Sequence, residues 1–346
     1  MDIHSLSSYK YELPLKLIAQ EPIRKRDECK LFVIDRKNKK FEHKIFENII
    51  DYIKNGDCII INISKVISSR LLCKKTTGAI LDILFLKPLY KNKWYILCKK
   101  NILNKEILLP DGKTTGKIIH KTPEGEYIVE FQNNININSI FEKYGLVPLP
   151  KYIKRETTLL DKEYYQTVYA KINGSVASPT AGLHFTNELI SKLKSKGVLI
   201  EEIVLHINWG TFKPIRTEKI ENHKMDPEEF FVSKNTIDTI KKVKKNNNRI
   251  FAVGTSCVRV LETLAINGIF NNETSNDITG QTDLFIYPEF EFKVVDCLIT
   301  NFHLPASTPF VLTSAFAELS LLKSAYKIAI ENKYRFYSYG DCMLIL

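Results

Sequence analysis

The run Cys58-Ile59-Ile60-Ile61-Asn62 has no charge and no polar alternation. A strand with this pattern is buried, and cover on both faces is what an α/β layer supplies. The chain around it fits that layer. Leu31 to Asp35 is a short apolar run that predicts a strand. Phe46, Ile49, Ile50 and Ile53 follow at helical spacing and stop at Gly56. The same texture returns in the second half, with strands predicted over Val198 to Ile207, Ile250 to Val253, Phe292 to Thr300 and the C-terminal apolar residues. Helices are predicted from Thr186 to Gly197, from Ser233 to Lys245, from Thr255 to Gly268, and from Thr308-Pro309 to about Leu322. A last helix is expected to end near Asn332. Several strands end in a hydroxyl or an imidazole, which gathers polar groups at one sheet edge, where α/β folds place ligands.

Between about Val66 and Val147 the texture changes. Short β-rich runs (Ala79 to Leu86, Lys93 to Cys98, Glu106 to Leu109, Lys117 to His120, Tyr127 to Phe131) are separated by turn signals such as Asp111-Gly112. Helical periodicity is nearly absent, so a small barrel or sandwich is expected. The expected fold is an α/β domain of helices on a mixed sheet, formed by 1–64 and 148–346. A small β-barrel domain, 65–147, is inserted into it.

Composition narrows the partners. Among 346 residues, 50 Lys and Arg exceed 39 Asp and Glu by 11. A field of that sign favours polyanions, although free use of lysine and asparagine explains part of it. The seven cysteines are scattered, with no C-x-x-C, which suits a reduced, cytoplasmic protein rather than a disulfide or zinc framework. Tyr9-Lys10-Tyr11-Glu12 breaks any signal-peptide core, and no apolar run is long enough to cross a bilayer, so no membrane partner is expected.

The chemistry concentrates in two loops. Gly174 to Thr186 is small, glycine-bounded and uncharged, and it delivers hydroxyls, amides and His184 to a helix start. Gly254-Thr255-Ser256 repeats that logic, with Arg259 in the first helical turn able to fork onto a carboxylate or phosphate. No G-x-G occurs, which counts against a Rossmann site, and the Gly254 loop lacks the glycines and lysine of a Walker loop. His206 lies at a strand end, as either a ligand or a core histidine. Asp296 falls at the centre of a predicted strand, where charge needs a partner. The basic arm with Arg24 and Arg26 is either solvated or on phosphate. Tyr165 and Tyr169 either stack on bases or fill the core.

Further stretches carry a resemblance. Tyr11-Glu12-Leu13-Pro14, Gln166-Thr167-Val168-Tyr169, Gly174 to Thr186 and Gly210-Thr211-Phe212 recur in order with Glu221-Asn222-His223-Lys224-Met225, Thr282 to Pro288, Phe292 to Pro305 and Ser338-Tyr339-Gly340-Asp341. In this the chain resembles the S-adenosylmethionine:tRNA ribosyltransferase-isomerases of queuosine biosynthesis, over its whole length. Asn208-Trp209 and Ser64-Lys65 depart from the family pattern.

The resemblance implies a transferase and isomerase that moves the ribosyl group of S-adenosylmethionine onto 7-aminomethyl-7-deazaguanine (preQ1). That base already sits at the wobble position of a tRNA with a GUN anticodon. Epoxyqueuosine, adenine and methionine are the implied products. S-adenosylmethionine enters as substrate, and no metal is needed. A monomer or weak homodimer is expected. Within the resemblance, His184 is the leading acid/base candidate, His206 and His303 are the second ones, and Asp296 orients a neighbour or the ribose. Thr180, Thr211, Thr255 and Asn301 donate to substrate oxygens, and Arg259 clamps the methionine carboxylate. Gly182, Gly210, Phe212, His223, Lys224, Gly254 and Thr300 complete the substrate site. Arg24, Arg26, Tyr165, Tyr169 and Arg335 meet the tRNA.

Overall fold

A computed structural model describes residues 2–90, 92–132, 135–212 and 214–346, without the side chains of Thr211 and Phe212. Its main feature is a nine-stranded mixed sheet, in the order Ile278–Thr282, Glu228–Val232, Leu199–Leu205, Cys58–Asn62, Ile250–Val253, Cys297–Asn301, Cys342–Ile345, Lys30–Asp35 and Lys40–Ile45. From Leu199–Leu205 to Cys297–Asn301 the four central strands are parallel. The strands on either side bring in antiparallel pairs.

Alternation along the strands divides the interior into two cores. Phe32, Ile34, Cys58 and Ile60 face one, whereas Leu31, Val33, Ile59 and Ile61 face the other. Helices cover both. Lys234–Lys245, capped by Ser233, buries Ile237, Ile240 and Val243 on the first core. Asn187–Ser195 buries Leu189 and Leu193 on the second, and Thr186 Oγ1 accepts its Leu189 N–H at 3.1 Å. At about 25 cal/mol per Å² of apolar surface removed from water, these two covered faces are the largest favourable term in the fold.

A closed six-stranded barrel runs from Arg70–Lys75 through Ile80–Tyr90, Lys93–Cys98, Glu106–Leu108 and Thr115–Lys121 to Tyr127–Phe131. Its end is packed by a helix, Ile137–Tyr144, where the sequence showed no helical period. Phe141 meets Phe85 and Trp94 edge-on at 5.4 and 5.6 Å. Short and capped by Asn136, that helix has too few turns to establish a repeat.

Three other expectations are corrected. The strand expected from Phe292 is only Cys297–Asn301, and Asp296 precedes it rather than sitting at its centre. The backbone N–H groups of Lys293, Val294 and Val295 go to the buried Glu262 carboxylate instead of a neighbouring strand. The helix from Thr308 stops at Ala317, because Glu318 takes φ +71°; a second helix, Leu319–Glu331, starts beyond it. Phe46 to Asp51 winds as a 3-10 helix, not an α-helix.

A candidate active-site cleft at the sheet edge

The parallel strands bring Leu205, Asn62, Val253 and Asn301 to one edge of the sheet. A cavity of about 470 Å³ opens there. Its walls come from the 3-10 turn Thr180–His184, the start of the helix Thr255–Ile266, the Thr300–His303 segment, Glu228 and N-terminal residues such as Tyr11.

Each wall has a local cause. Pro179 ends the preceding extended backbone and sets the turn that exposes Thr180. Gly254, with φ +86° and ψ 157°, takes a backbone shape closed to other residues. No side chain caps the helix that follows, so its first N–H groups and the Thr255 and Ser256 hydroxyls border the cleft.

Thr180, Gly254, Thr255, Arg259, Thr300, Asn301 and His303 therefore come together on one cavity. Thr180 Oγ1 donates to Asn301 Oδ1 at 2.9 Å. His303 Nε2 lies 2.8 Å from Thr300 Oγ1, and no described residue takes its Nδ1. Burial pushes this imidazole down to about 3, so it is neutral at pH 7. Arg259 Nη1 meets Glu228 Oε2, while its Nε and Nη2 donate to the carbonyls of Leu284 and Thr282 at 3.0 and 2.9 Å. Both members of that pair are almost fully buried.

Other expected site residues lie elsewhere. His184 is one layer back, with Nε2 3.0 Å from Asn301 Nδ2 and Nδ1 3.1 Å from Cys29 Sγ. Burial, reinforced by the charges of Arg26 and Arg335, holds it down to about 3. Ile207 lines the cleft, whereas the neighbouring His206 packs against Gly174, its Nδ1 buried without a partner among the described residues. Burial also lowers His206, against the opposing charge of Glu229. Asp296 sits at the opposite edge, ion-paired to Lys244 at 2.7 Å and accepting the Ile250 N–H at 2.8 Å. Gly182 packs on the Tyr169 hydroxyl and Gly210 on Asp226. His223 packs its ring edge-on to Phe285, and Lys224 is exposed. Thr211 and Phe212 form a 3-10 turn, and their side chains lie outside the described ones.

Of the residues expected to meet RNA, Tyr165 and Tyr169 are buried and Arg24 is exposed. Arg26 donates to the carbonyls of Gln166, Glu163 and Leu183, and Arg335 to that of Glu21. The cleft also holds Ser256, whose hydroxyl the Gly254 loop was expected to present, and Tyr11, Ser178, Met225, Glu228 and Ser338, which sequence reasoning did not select. Ser178 and Ser256 belong to loops already singled out. Glu228 gave no signal, since Asp226-Pro227-Glu228-Glu229 looks like a solvated charge run.

A family model described as queuosine biosynthesis protein matches residues 6–345. The chain belongs to the queuosine biosynthesis protein family. Relatives in that family carry the name S-adenosylmethionine:tRNA ribosyltransferase-isomerase. One from Sulfurihydrogenibium sp. is 49% identical over 346 residues, covering 99% of each chain. Another from Thermodesulfovibrio yellowstonii is 44% identical over 348 residues, again covering 99% of each. The crystal structure of a Thermotoga maritima S-adenosylmethionine tRNA ribosyltransferase superposes with a TM-score of 0.56 at 37% identity, covering 98% of this chain and 100% of that one. Membership in the queuosine biosynthesis family makes the chain an enzyme of the transferase and isomerase kind. The expectation of an α/β sheet with a β-barrel is met. Among the described residues, no helix is long and apolar enough to cross a membrane.

Proposed function

We propose that this chain transfers and isomerises the ribosyl group of S-adenosylmethionine onto preQ1 at the wobble position of a GUN-anticodon tRNA, giving epoxyqueuosine-tRNA, adenine and methionine. The observation that carries this reading is the convergence of Thr180, Thr255, Asn301, His303 and the Glu228–Arg259 pair on one cleft in a chain of this family.

The chemistry needs proton transfers and charge placement. A sulfonium acidifies the adjacent C5′ hydrogens. Their removal opens the ribose, adenine leaves with a proton, and the neutral aminomethyl group of preQ1 attacks. His303 is the cleft-facing acid/base candidate, because its Nε2 is held by Thr300 while no described residue takes Nδ1. The uncapped start of the helix Thr255–Ile266 suits the methionine carboxylate, with Thr255 and Ser256 beside it. Arg259 already meets Glu228, so its reach to that carboxylate runs through the two guanidinium N–H groups not yet used. Exposed Arg24, with Arg335, serves the tRNA, while the buried Tyr165 and Tyr169 support the loop. The segment 65–147 acts as an inserted domain, and the enzyme works in the cytoplasm as a monomer or weak homodimer.

The test is incubation of the purified protein with preQ1-tRNA and S-adenosylmethionine labelled separately in adenine, ribose and methyl. Release of adenine with ribose label entering the tRNA is expected. Methyl label on the tRNA would make the protein a methyltransferase, and tRNA binding without adenine release would make it a non-catalytic binder.

A further inference from the structure

His184 is buried, borders only a small neighbouring pocket rather than the cleft, and still touches a residue that lines the cleft. Its contacts fix where its proton sits. Asn301 Nδ2 is 3.5 Å from the Asp341 carbonyl, which only accepts hydrogen bonds. The amide nitrogen, not the oxygen, therefore faces that side of Asn301. The same nitrogen lies 3.0 Å from His184 Nε2, so Nε2 must be the unprotonated acceptor. The ring proton is then on Nδ1, which points at Cys29 Sγ 3.1 Å away. Oδ1 of Asn301 accepts the Thr180 hydroxyl at 2.9 Å, and that hydroxyl has one proton to give. What Thr180 turns toward the cleft is oxygen lone pairs.

We propose that His184 is a positioning residue, held as a neutral Nδ1–H tautomer, which orients Asn301 and Thr180 so that the cleft meets its substrate at Thr180 with a hydrogen-bond acceptor. This rests on the reading of the cleft as the S-adenosylmethionine site. The substrate group at Thr180 is then a donor, a ribose hydroxyl or an exocyclic amine, and a carbonyl or carboxylate is disfavoured there.

The surroundings keep the ring from changing state. Phe46 packs against it with centroids 5.2 Å apart. Cys29 and Asn301 take its two nitrogens, and Arg26 and Arg335 supply the nearby positive charge. Asp341, the carboxylate of this region, is turned to the backbone N–H groups of Lys30 and Arg335 at 3.0 and 2.7 Å. Burial pushes the Cys29 thiol up, so the sulfur stays a neutral acceptor. Both ring nitrogens of His184 are engaged by Cys29 and Asn301 and neither opens on the cleft, which suits an orienting group, whereas a proton shuttle needs a nitrogen that faces the substrate.

Two measurements test this. In histidine-labelled wild-type protein, 15N correlation spectra are expected to show His184 protonated at Nδ1 and bare at Nε2 from pH 5 to 8. A proton on Nε2 would overturn the proposal, whether or not the enzyme is active. The second compares His184→Gln, whose amide oxygen can replace Nε2 as acceptor, with His184→Met. Misorientation of Asn301 in His184→Met is expected to lower kcat roughly 10²-fold, and His184→Gln to recover at least about tenfold of that. Equal losses in two folded variants would mean that the imidazole itself moves a proton, which overturns the proposal. A wild-type protein that releases no adenine would instead refute the proposed reaction and leave the tautomer result standing.

Discussion

Glu228 and Arg259 face each other across the cleft wall as a buried ion pair, from the strand Glu228–Val232 and the first turns of the helix Thr255–Ile266. The backbone N–H of Asn208 donates to the other carboxylate oxygen at 2.7 Å. The guanidinium thus ties a strand, a helix and the Thr282 and Leu284 carbonyls to one point. Replacing Arg259 with Met removes a buried ion-pair partner of Glu228 and, with it, the donors to the Thr282 and Leu284 carbonyls. Loss of about 3–5 kcal/mol in urea denaturation is expected. Arg259→Lys should recover little, because an ammonium cannot serve the carboxylate and both carbonyls in a planar fork.

Stability should fall with acid well before most carboxylates titrate. The unfolded imidazoles of His184 and His303 take up protons near pH 6.5, whereas in the folded protein both are held down to about 3. Below pH 6.5 the unfolded chain therefore binds up to two protons that the native state refuses, and unfolding becomes easier as pH drops. The slope from this pair approaches about 2.7 kcal/mol per pH unit between about pH 5.5 and 4. Calorimetric melting across that window checks it. Replacing His184 with Gln should remove about one proton from the uptake, and an unchanged slope would contradict the neutral buried ring.

Much of the sheet could be read from the sequence, and much of the site could not, for physical reasons. Cys58–Asn62 and Ile250–Val253 are apolar on both faces, so burial alone identifies them. The flanking strand Lys40–Ile45 is almost wholly exposed, and Ile278–Thr282 is polar, so neither has a pattern to find. Gly254 and Thr180 were visible because glycine and proline constrain backbone shape locally. The contacts of His184 with Asn301 and Cys29 join residues 117 and 155 positions apart, and no spacing rule carries that information. His206 and Ile207 show the same limit. One step along the chain decides which faces the cleft, and a sequence does not show the strand's rotation.

Gly254→Ala isolates the backbone contribution to the cleft. An added Cβ would meet Ala181 Cβ and Ser256 Oγ at 3.5 Å, which is ordinary contact. The cost is therefore the φ of +86° with ψ 157°, a region that side chains do not tolerate. Loss of about 1–3 kcal/mol is expected in chemical denaturation. A shift in the helix start should also raise the KM for S-adenosylmethionine. A variant as stable as the wild type would show that the strand-to-helix turn relaxes without strain.

Thr180 gives the sharpest test of how the cleft reads its substrate. Thr180→Val keeps the shape but removes the acceptor, and it also takes the hydroxyl donor from the buried Asn301 Oδ1. The second effect should destabilise the protein by about 1–3 kcal/mol. The first should lower kcat/KM for S-adenosylmethionine about 10- to 100-fold, the loss expected when one side of a buried hydrogen bond disappears. Thr180→Ser keeps the hydroxyl and should stay near wild type on both counts. Substrate analogues separate the two effects. If a ribose hydroxyl is the donor at Thr180, wild type should discriminate against either the 2′-deoxy or the 3′-deoxy analogue, and Thr180→Val should discriminate much less against that same one. If the variant rejects both analogues as strongly as wild type, no ribose hydroxyl meets Thr180, and the exocyclic amine of adenine becomes the donor to test.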